Sequence, residues 1–215
     1  MERKWISVWK KKKTFEKSIK AREKNKEYTF YDGPPFATGL PHYGHILAGT
    51  MKDVVPRYQT MRGHKVERQF GWDCHGLPIE NLIEKELNLQ TKRDIEEKFG
   101  VAKFNEACRA SVLKYVHEWE TTVDRMGRWV DFKNDYKTMD PTFMESIWWV
   151  FKQLWDKELI YKGRKSMHVC PRCATPLSNF EVTLGYQDVT DYSVTAKFKL
   201  DNLPYSILSW TTTPW

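Results

Sequence analysis

EYTFYDGPPFATGLPHYGHILAGTMKDVVPRYQTMRGHKVERQFGWD, residues 27–73, is the stretch whose reading decides the fold. Glu27 to Tyr31 is a short β-prone run, closed by the chain-turning Asp32-Gly33-Pro34-Pro35. A Gly/Pro-rich loop continues through Pro41. From Tyr43 to Met61 the pattern predicts a helix, with Ile46, Met51 and Tyr58 on its apolar side and Gly63 as its stop. Lys65 to Phe70 then reads as a second strand. Strand, helix and strand in this order make a βαβ unit, which implies a parallel sheet with a right-handed crossover. In such sheets ligands bind at the carboxyl ends of the strands. Those ends are Asp32-Gly33-Pro34 and Gly71-Trp72-Asp73.

Outward from this unit the class stays α/β. Pro78 to Leu87 reads as helix. Val112, Tyr115, Val116, Trp119, Val123 and Met126 form one amphipathic stripe, and Phe143, Ile147, Val150, Phe151 and Leu154 another; both are expected in the core. From Val182 the pattern changes to β alternation, clearest at Thr195 to Leu200 and Ser206 to Trp210. Hydrophobic residues at 40% and aromatics at 14% exclude a disordered chain. No apolar run is long enough to span a bilayer, and no apolar segment follows the first residues as a secretory signal would require. A cytoplasmic protein is the expectation. The formal charge of +7 comes from residues 1–27, which hold eleven Lys/Arg against four Glu; beyond them the two signs balance. Trp5, Val8, Trp9, Phe15 and Ile19 lie near helical spacing, so this arm is expected to dock as an amphipathic helix. Its lysines could face nucleic-acid phosphates, but a solvated helix face is the favoured reading.

Two short stretches carry chemistry. His42-Tyr43-Gly44-His45 sits where the loop enters the helix, so its histidines share one face of a helix start. There, unpaired N–H groups and the positive dipole end favour a bound phosphate, and imidazole donors would add to that. Gly44 leaves room for a flat group, such as a nucleobase, against the backbone. Four residues alone are a weak signal. Cys170-Pro-Arg-Cys173 has the spacing of one zinc knuckle, whereas structural zinc takes four ligands; Cys74 and Cys108 are lone.

The context strengthens both. YDGPPFATGLPHYGH (31–45) resembles the signature region of the class I aminoacyl-tRNA synthetases, with HYGH in place of their HIGH. GWDCHGLPIE (71–80) resembles the isoleucine-activating branch in particular, and the resemblance continues through the Cys170–Cys173 pair, TPLSNFE, and WTTTPW (210–215). It thus covers nearly the whole chain. The implied fold is the first half of a Rossmann-type parallel-sheet catalytic domain, with a small zinc-ribbon-like element and the start of a β-rich editing domain. The implied limits are a basic helical arm at 1–27, the catalytic half at 28–165, the zinc-ribbon-like element at 166–181 and the editing domain from 182 to 215.

The resemblance implies activation of isoleucine by ATP, transfer to tRNA, and hydrolytic editing of valyl errors. Isoleucine, ATP and tRNA are the implied partners, and neither a membrane nor DNA is among them. His42, Gly44 and His45 would be catalytic, with His42 and His45 on the ATP phosphates, Gly44 beneath the adenine, and Phe36 and Thr38 also on the ATP side. Gly33, Pro34, Trp72 and Asp73 would form the amino-acid site. Asp73 would pair with the substrate ammonium, and the rival reading of Asp73 is a helix N-cap. Glu80 and His75 are weaker candidates, and His75 also reads as a structural hydrogen-bonding residue. Thr211, Thr212 and Thr213 would belong to editing, against a rival reading as an exposed strand face. Mg²⁺ would come with ATP, held mainly by phosphates. Zn²⁺ at Cys170 and Cys173 would need a second ligand pair from elsewhere in the intact protein.

The chain departs from the family at Tyr43, which need not touch phosphate, and at Thr38, where many relatives carry Asn. It holds no KMSKS-like loop, so it is expected to be an N-terminal fragment, inactive alone. Two rivals remain: another nucleotidylyltransferase with an HxGH site, and an RNA-binding module built on the arm and the cysteine knuckle. The even charge balance after Tyr28 weighs against the second.

Overall fold

Trp9, near the middle of the basic arm, meets Trp129 edge-on with ring centres 5.5 Å apart, and Phe15 lies 6.3 Å from the same indole. In this computed structural model, which describes residues 2–215, the arm is two helices, α1 (Glu2–Lys12) and α2 (Thr14–Lys20). Met1, the first residue of the expected arm, lies outside the described residues. Lys13 breaks the arm with a left-handed φ of 49°. Its apolar side docks as the spacing predicts, except that Trp5 stays half exposed. Arg57 lies against both indoles, 5.6 Å from the Trp9 ring centre and 4.0 Å from that of Trp129. Lys11 to Lys13 remain in solvent.

The chain divides into two units, one running to Gly163 and one from Arg164 to Trp215. In the first, α3 (Tyr43–Met61) has the predicted bounds. The segment before it runs parallel to the segment after it, through bridges Glu27–Lys65 and Phe36–Asp73. The Tyr28 N–H donates to the Lys65 carbonyl at 2.9 Å, and the Asp73 N–H to the Pro35 carbonyl at 2.9 Å. The second bridge lies beyond the predicted first strand, 27–31, at Phe36, so that strand holds one isolated bridge, at Glu27, and no ladder. Pro34 and Pro35 have no N–H to give to one.

The second strand begins later than the pattern predicts. It is β1 (Gln69–Trp72), paired in parallel with β2 (Asp131–Lys137). Between them come α4 (Leu77–Glu86), a π-helical stretch (Asp94–Phe99), α5 (Val101–Ser111) and α6 (Val116–Met126). The stripe that begins at Val112 thus starts in a turn and continues along α6. Phe70, Trp72, Ile79, Ile83, Trp119 and Val123 are central to the core.

The second stripe is not core. After β2, α7 (Pro141–Asp156) has no buried residue. Ile147, Val150, Phe151 and Leu154 are all more than a third exposed, and Trp148 is 71% exposed. Only its first turn is anchored, where Phe143 stacks on Tyr136 at 5.7 Å. Amphipathic spacing reports an apolar face, not the presence of a layer to cover it.

The second unit starts with a two-residue hairpin, β3 (Val169–Cys170) and β4 (Thr175–Pro176). Residues 179–184, partly read as the start of β structure, form α8 (Asn179–Leu184). Ser178 and Glu181 cap it reciprocally, an arrangement that nucleates a helix. The β structure is β5 (Val194–Lys199) and β6 (Ser206–Thr211), an antiparallel hairpin in the register Val194–Thr211.

One glycine locks the sheet. A Cβ on Gly71 would sit 2.2 Å from the Tyr136 ring across the β1–β2 pair. Gly71→Ala should lower the unfolding free energy by about 3 kcal/mol, at the upper end of overpacking costs, in urea titrations. Adding Tyr136→Ala should recover part of that loss.

Candidate functional site

The N-terminus of α3 is capped by its own histidines. His42 is the N-cap, in extended backbone with φ −120° and ψ 175°. Its Nδ1 accepts from the Gly44 N–H at 3.1 Å, while the His42 N–H donates to Nδ1 of His45 at 3.2 Å. The rings stack with centres 3.7 Å apart. In a neutral imidazole an accepting Nδ1 leaves the proton on Nε2. Each ring therefore keeps one N–H donor free of the cap. A Cβ on Gly44 would come within 3.0 Å of His42 Cε1, so the glycine is part of this packing. Burial, and then the charges of His42 and Lys52, push the His45 titration below the ordinary histidine value.

Asp32 holds the facing wall. Its side chain is fully buried, with Lys52 Nζ 2.6 Å from one oxygen and an Arg128 nitrogen 2.5 Å from the other. Lys52 also donates to the Gly33 carbonyl at 2.6 Å. The Tyr136 hydroxyl donates to the Asp32 carbonyl at 2.6 Å. Burial, followed by the nearby Tyr31, Asp32 and Asp73, pushes that hydroxyl up to about 12, so it remains a donor at neutral pH. From α6, the Trp119 indole N–H holds the Gly39 carbonyl at 2.9 Å and its ring lies 4.6 Å from that of His45.

Between these walls lies a cleft of about 440 Å³, with Gly33, Pro34, Phe36, Thr38, His42, His45 and Lys52 on its lining. Gly44 supports it from the helix. Asp73 stands beside it at the carboxyl end of β1, bridged to Phe36, with its Oδ1 3.5 Å from the His75 N–H. Gly76, not Asp73, is the N-cap of α4, so the capping role is not realised. His75 makes a structural contact, Nδ1 to the Thr138 hydroxyl at 3.2 Å. Trp72 is fully buried and gives its indole N–H to Asp135 at 2.7 Å, so its side chain supports the strand from within.

The remaining predicted residues lie in the second unit. Cys170 and Cys173 flank the β3–β4 turn, where the Cys173 N–H lies 3.5 Å from Cys170 Sγ. Backbone donors at Cys173 and Arg172 lower the Cys170 thiol. Two sulfurs make half a zinc site, and among the described residues no cluster of three or more His, Cys, Asp or Glu completes one. Thr211 Oγ1 accepts from the Thr213 N–H at 3.0 Å, closing a turn after β6, with Thr212 exposed between them.

The sequence reading misses Asp32, Lys52, Trp119 and Arg128. Lys52 had a signal: His42, His45, Gly49 and Lys52 recur at helical spacing and so share one face of α3. Asp32 stood at a predicted strand end, but its pairing with Arg128 had no signal, because a pair 96 residues apart leaves no local pattern.

Residues 4–207 match the family described as tRNA synthetases class I (I, L, M and V). The chain is 57% identical over 229 residues to the isoleucine–tRNA ligase of Treponema denticola, covering 98% of this chain and 21% of that protein. It is 57% identical over 215 residues to the probable cytoplasmic isoleucine–tRNA ligase of Dictyostelium discoideum, covering 100% and 20%. The chain thus spans about a fifth of the length of these relatives. A crystal structure of a ternary complex, Agrobacterium radiobacter K84 agnB2 LeuRS-tRNA-LeuAMS, shares the fold with TM-score 0.50 at 19% identity, covering 98% of this chain and 30% of that one. Among the described residues no helix is long and apolar enough to cross a membrane.

The His45 environment makes a pH prediction. A histidine whose titration is depressed by folding contributes its full stability above the ordinary histidine value, and that contribution is lost as pH falls through the folded value. NMR titration of the ring should show His45 protonating below a free imidazole. Adding ATP should move it upward, because a nearby anion favours the charged ring.

Proposed function

Because the chain belongs to the class I tRNA synthetases of the I, L, M and V group, we propose that the whole protein activates isoleucine with ATP and transfers it to its tRNA. The observation that carries this reading is the reciprocal histidine cap. It leaves two Nε2–H donors at a helix N-terminus, over a cleft walled by the Gly33-Pro34 backbone. The names of relatives more than half identical to this chain support isoleucine as the amino acid, and one of those names supports a cytoplasmic location.

In the activation step the isoleucine carboxylate attacks the α-phosphorus of ATP and pyrophosphate leaves. The carboxylate is already ionised at neutral pH, so no general base is needed. The work is alignment and stabilisation of charge on the phosphate oxygens. His42 and His45 donate to those oxygens, Gly44 lies under the adenine, and Phe36 and Thr38 flank the nucleotide. Gly33 and Pro34 border the amino acid, and Asp73 pairs with its ammonium. Trp72 contributes by holding the strand end that carries Asp73. Mg²⁺ enters with the nucleotide, coordinated chiefly by phosphates.

The second unit is read as the zinc-ribbon-like element and the opening of the editing domain. A zinc there would be held by the Cys170 and Cys173 thiolates together with two further ligands from elsewhere in the intact protein. Thr211 to Thr213 contribute hydroxyls to hydrolysis of the valyl ester. The need for editing is physical: valine differs from isoleucine by one methylene, too little for a pocket to reject it at the fidelity translation requires.

Amino-acid-dependent ATP–pyrophosphate exchange by the full-length protein tests this. Isoleucine should support strong exchange and valine weaker exchange, with leucine and methionine inactive. His45→Ala should lower the rate about 10²–10³-fold, the usual effect of losing one transition-state donor. A folded full-length protein that exchanges with none of the four would overturn the proposal.

A further inference from the structure

Lys52 lies two helical turns beyond His45 on the same face of α3. Its ammonium is 2.6 Å from the Asp32 carboxylate and 2.6 Å from the Gly33 carbonyl. The electrostatics of Asp32 do not require it. Arg128, whose side chain is 5% exposed, already supplies one buried positive charge to that one carboxylate. The three groups together carry a surplus positive charge, and Lys52 is the cation on the cleft lining, with its side chain 28% exposed. An ammonium has three donors, and its charge-assisted bond to the Gly33 carbonyl is a directed tie to the rim of the cleft. No side chain at Gly33 interferes, and even a Cβ built there would stand 3.9 Å from Nζ.

We propose that Lys52 is a positioning residue for adenylate formation: anchored by Asp32, its ammonium holds the Gly33 carbonyl and so sets the Gly33-Pro34 rim against the His42/His45 face of α3. The inference rests on reading this cleft as the ATP and amino-acid site. Gly33 and Pro34 border the amino acid in that reading, while the histidines serve the phosphates. Loss of the tie therefore loosens one substrate more than the other. A residue needed only for folding would affect both, together with stability.

The test is pyrophosphate exchange by the full-length protein carrying Lys52→Met, which keeps the length and loses the charge, or Lys52→Arg, which keeps the charge. Lys52→Met should retain a melting transition close to the parent's. Its KM for isoleucine should rise about tenfold, the scale of one lost charge-assisted hydrogen bond, while its KM for ATP changes much less. Lys52→Arg should recover most of the difference. Parental KM values in Lys52→Met would overturn the inference. So would an equal rise in both KM values with a lowered melting temperature, or failure of both variants to fold, since either makes Lys52 a residue of the fold. A parent protein with no exchange would instead overturn the underlying reading of the cleft.

Discussion

The buried Asp32 carboxylate ties the loop before α3, the middle of α3 and the approach to β2 into one assembly. It meets Lys52 from α3 on one side and Arg128, from the segment leading into β2, on the other, and its own carbonyl receives the Tyr136 hydroxyl. Burying a carboxylate is costly, and its attraction to a partner offsets that cost only when the geometry is good and the remaining lone pairs are used. Here each oxygen has its own cation, Lys52 at Oδ1 and Arg128 at Oδ2, and only Oδ2 also accepts a hydrogen bond. Arg128, with its side chain 5% exposed, is the partner whose removal would strand that charge away from water, typically at about 3–5 kcal/mol, whereas Lys52 reaches solvent at the cleft. This constraint explains why a loop containing three prolines and two glycines holds a definite course past the helix start without a strand ladder to guide it.

The same constraint separates what was legible in the sequence from what was not. Helix α3 was legible because its signals are local, the turn before it and Gly63 after it, although the side read as apolar stays in solvent at Met51 and Tyr58, 57% and 56% exposed. The pairing of the segments around it in parallel was legible from their order. Strand β2 was not. Its DFKNDYK sequence lacks an apolar alternation, and it pairs with β1 only after a register shift between Gln69 and Gly71. Asp131 organises that irregularity, accepting from the Lys133 and Asn134 N–H groups at 2.8 and 3.2 Å. Polar side chains that bond their own backbone erase the pattern by which strands are recognised.

In the candidate site, the HYGH stretch could be located from sequence, but its chemistry could not be completed. Spacing puts His42 and His45 on one face. Only the folded structure reveals that each Nδ1 is consumed by the backbone and that Nε2 is left as the donor. Thr38, Gly33 and Pro34 line the cleft, whereas the Trp72 side chain turns inward. The lysine that shares their cleft was readable only as the next member of the helical series. The ring of Trp119, which lies against His45, belongs to a helix more than seventy residues away and was visible only as a core residue.

The electrostatic character of the cleft follows from these bonds. A site lined with permanent cations would bind any polyphosphate in its ground state as well as its transition state, and uniform binding does not accelerate chemistry. Here the groups at the helix start are imidazoles oriented by the cap, and burial, followed by neighbouring positive charge, disfavours the charged form of His45. The nearest lysine is engaged by a carboxylate and a carbonyl. Donors of this kind respond most to charge that develops at a defined position, because they are already oriented and need no reorganisation when it appears. The cap that satisfies the helix terminus is thus the device that orients the donors, and the local stability of α3 cannot be separated from the chemistry its first turn presents.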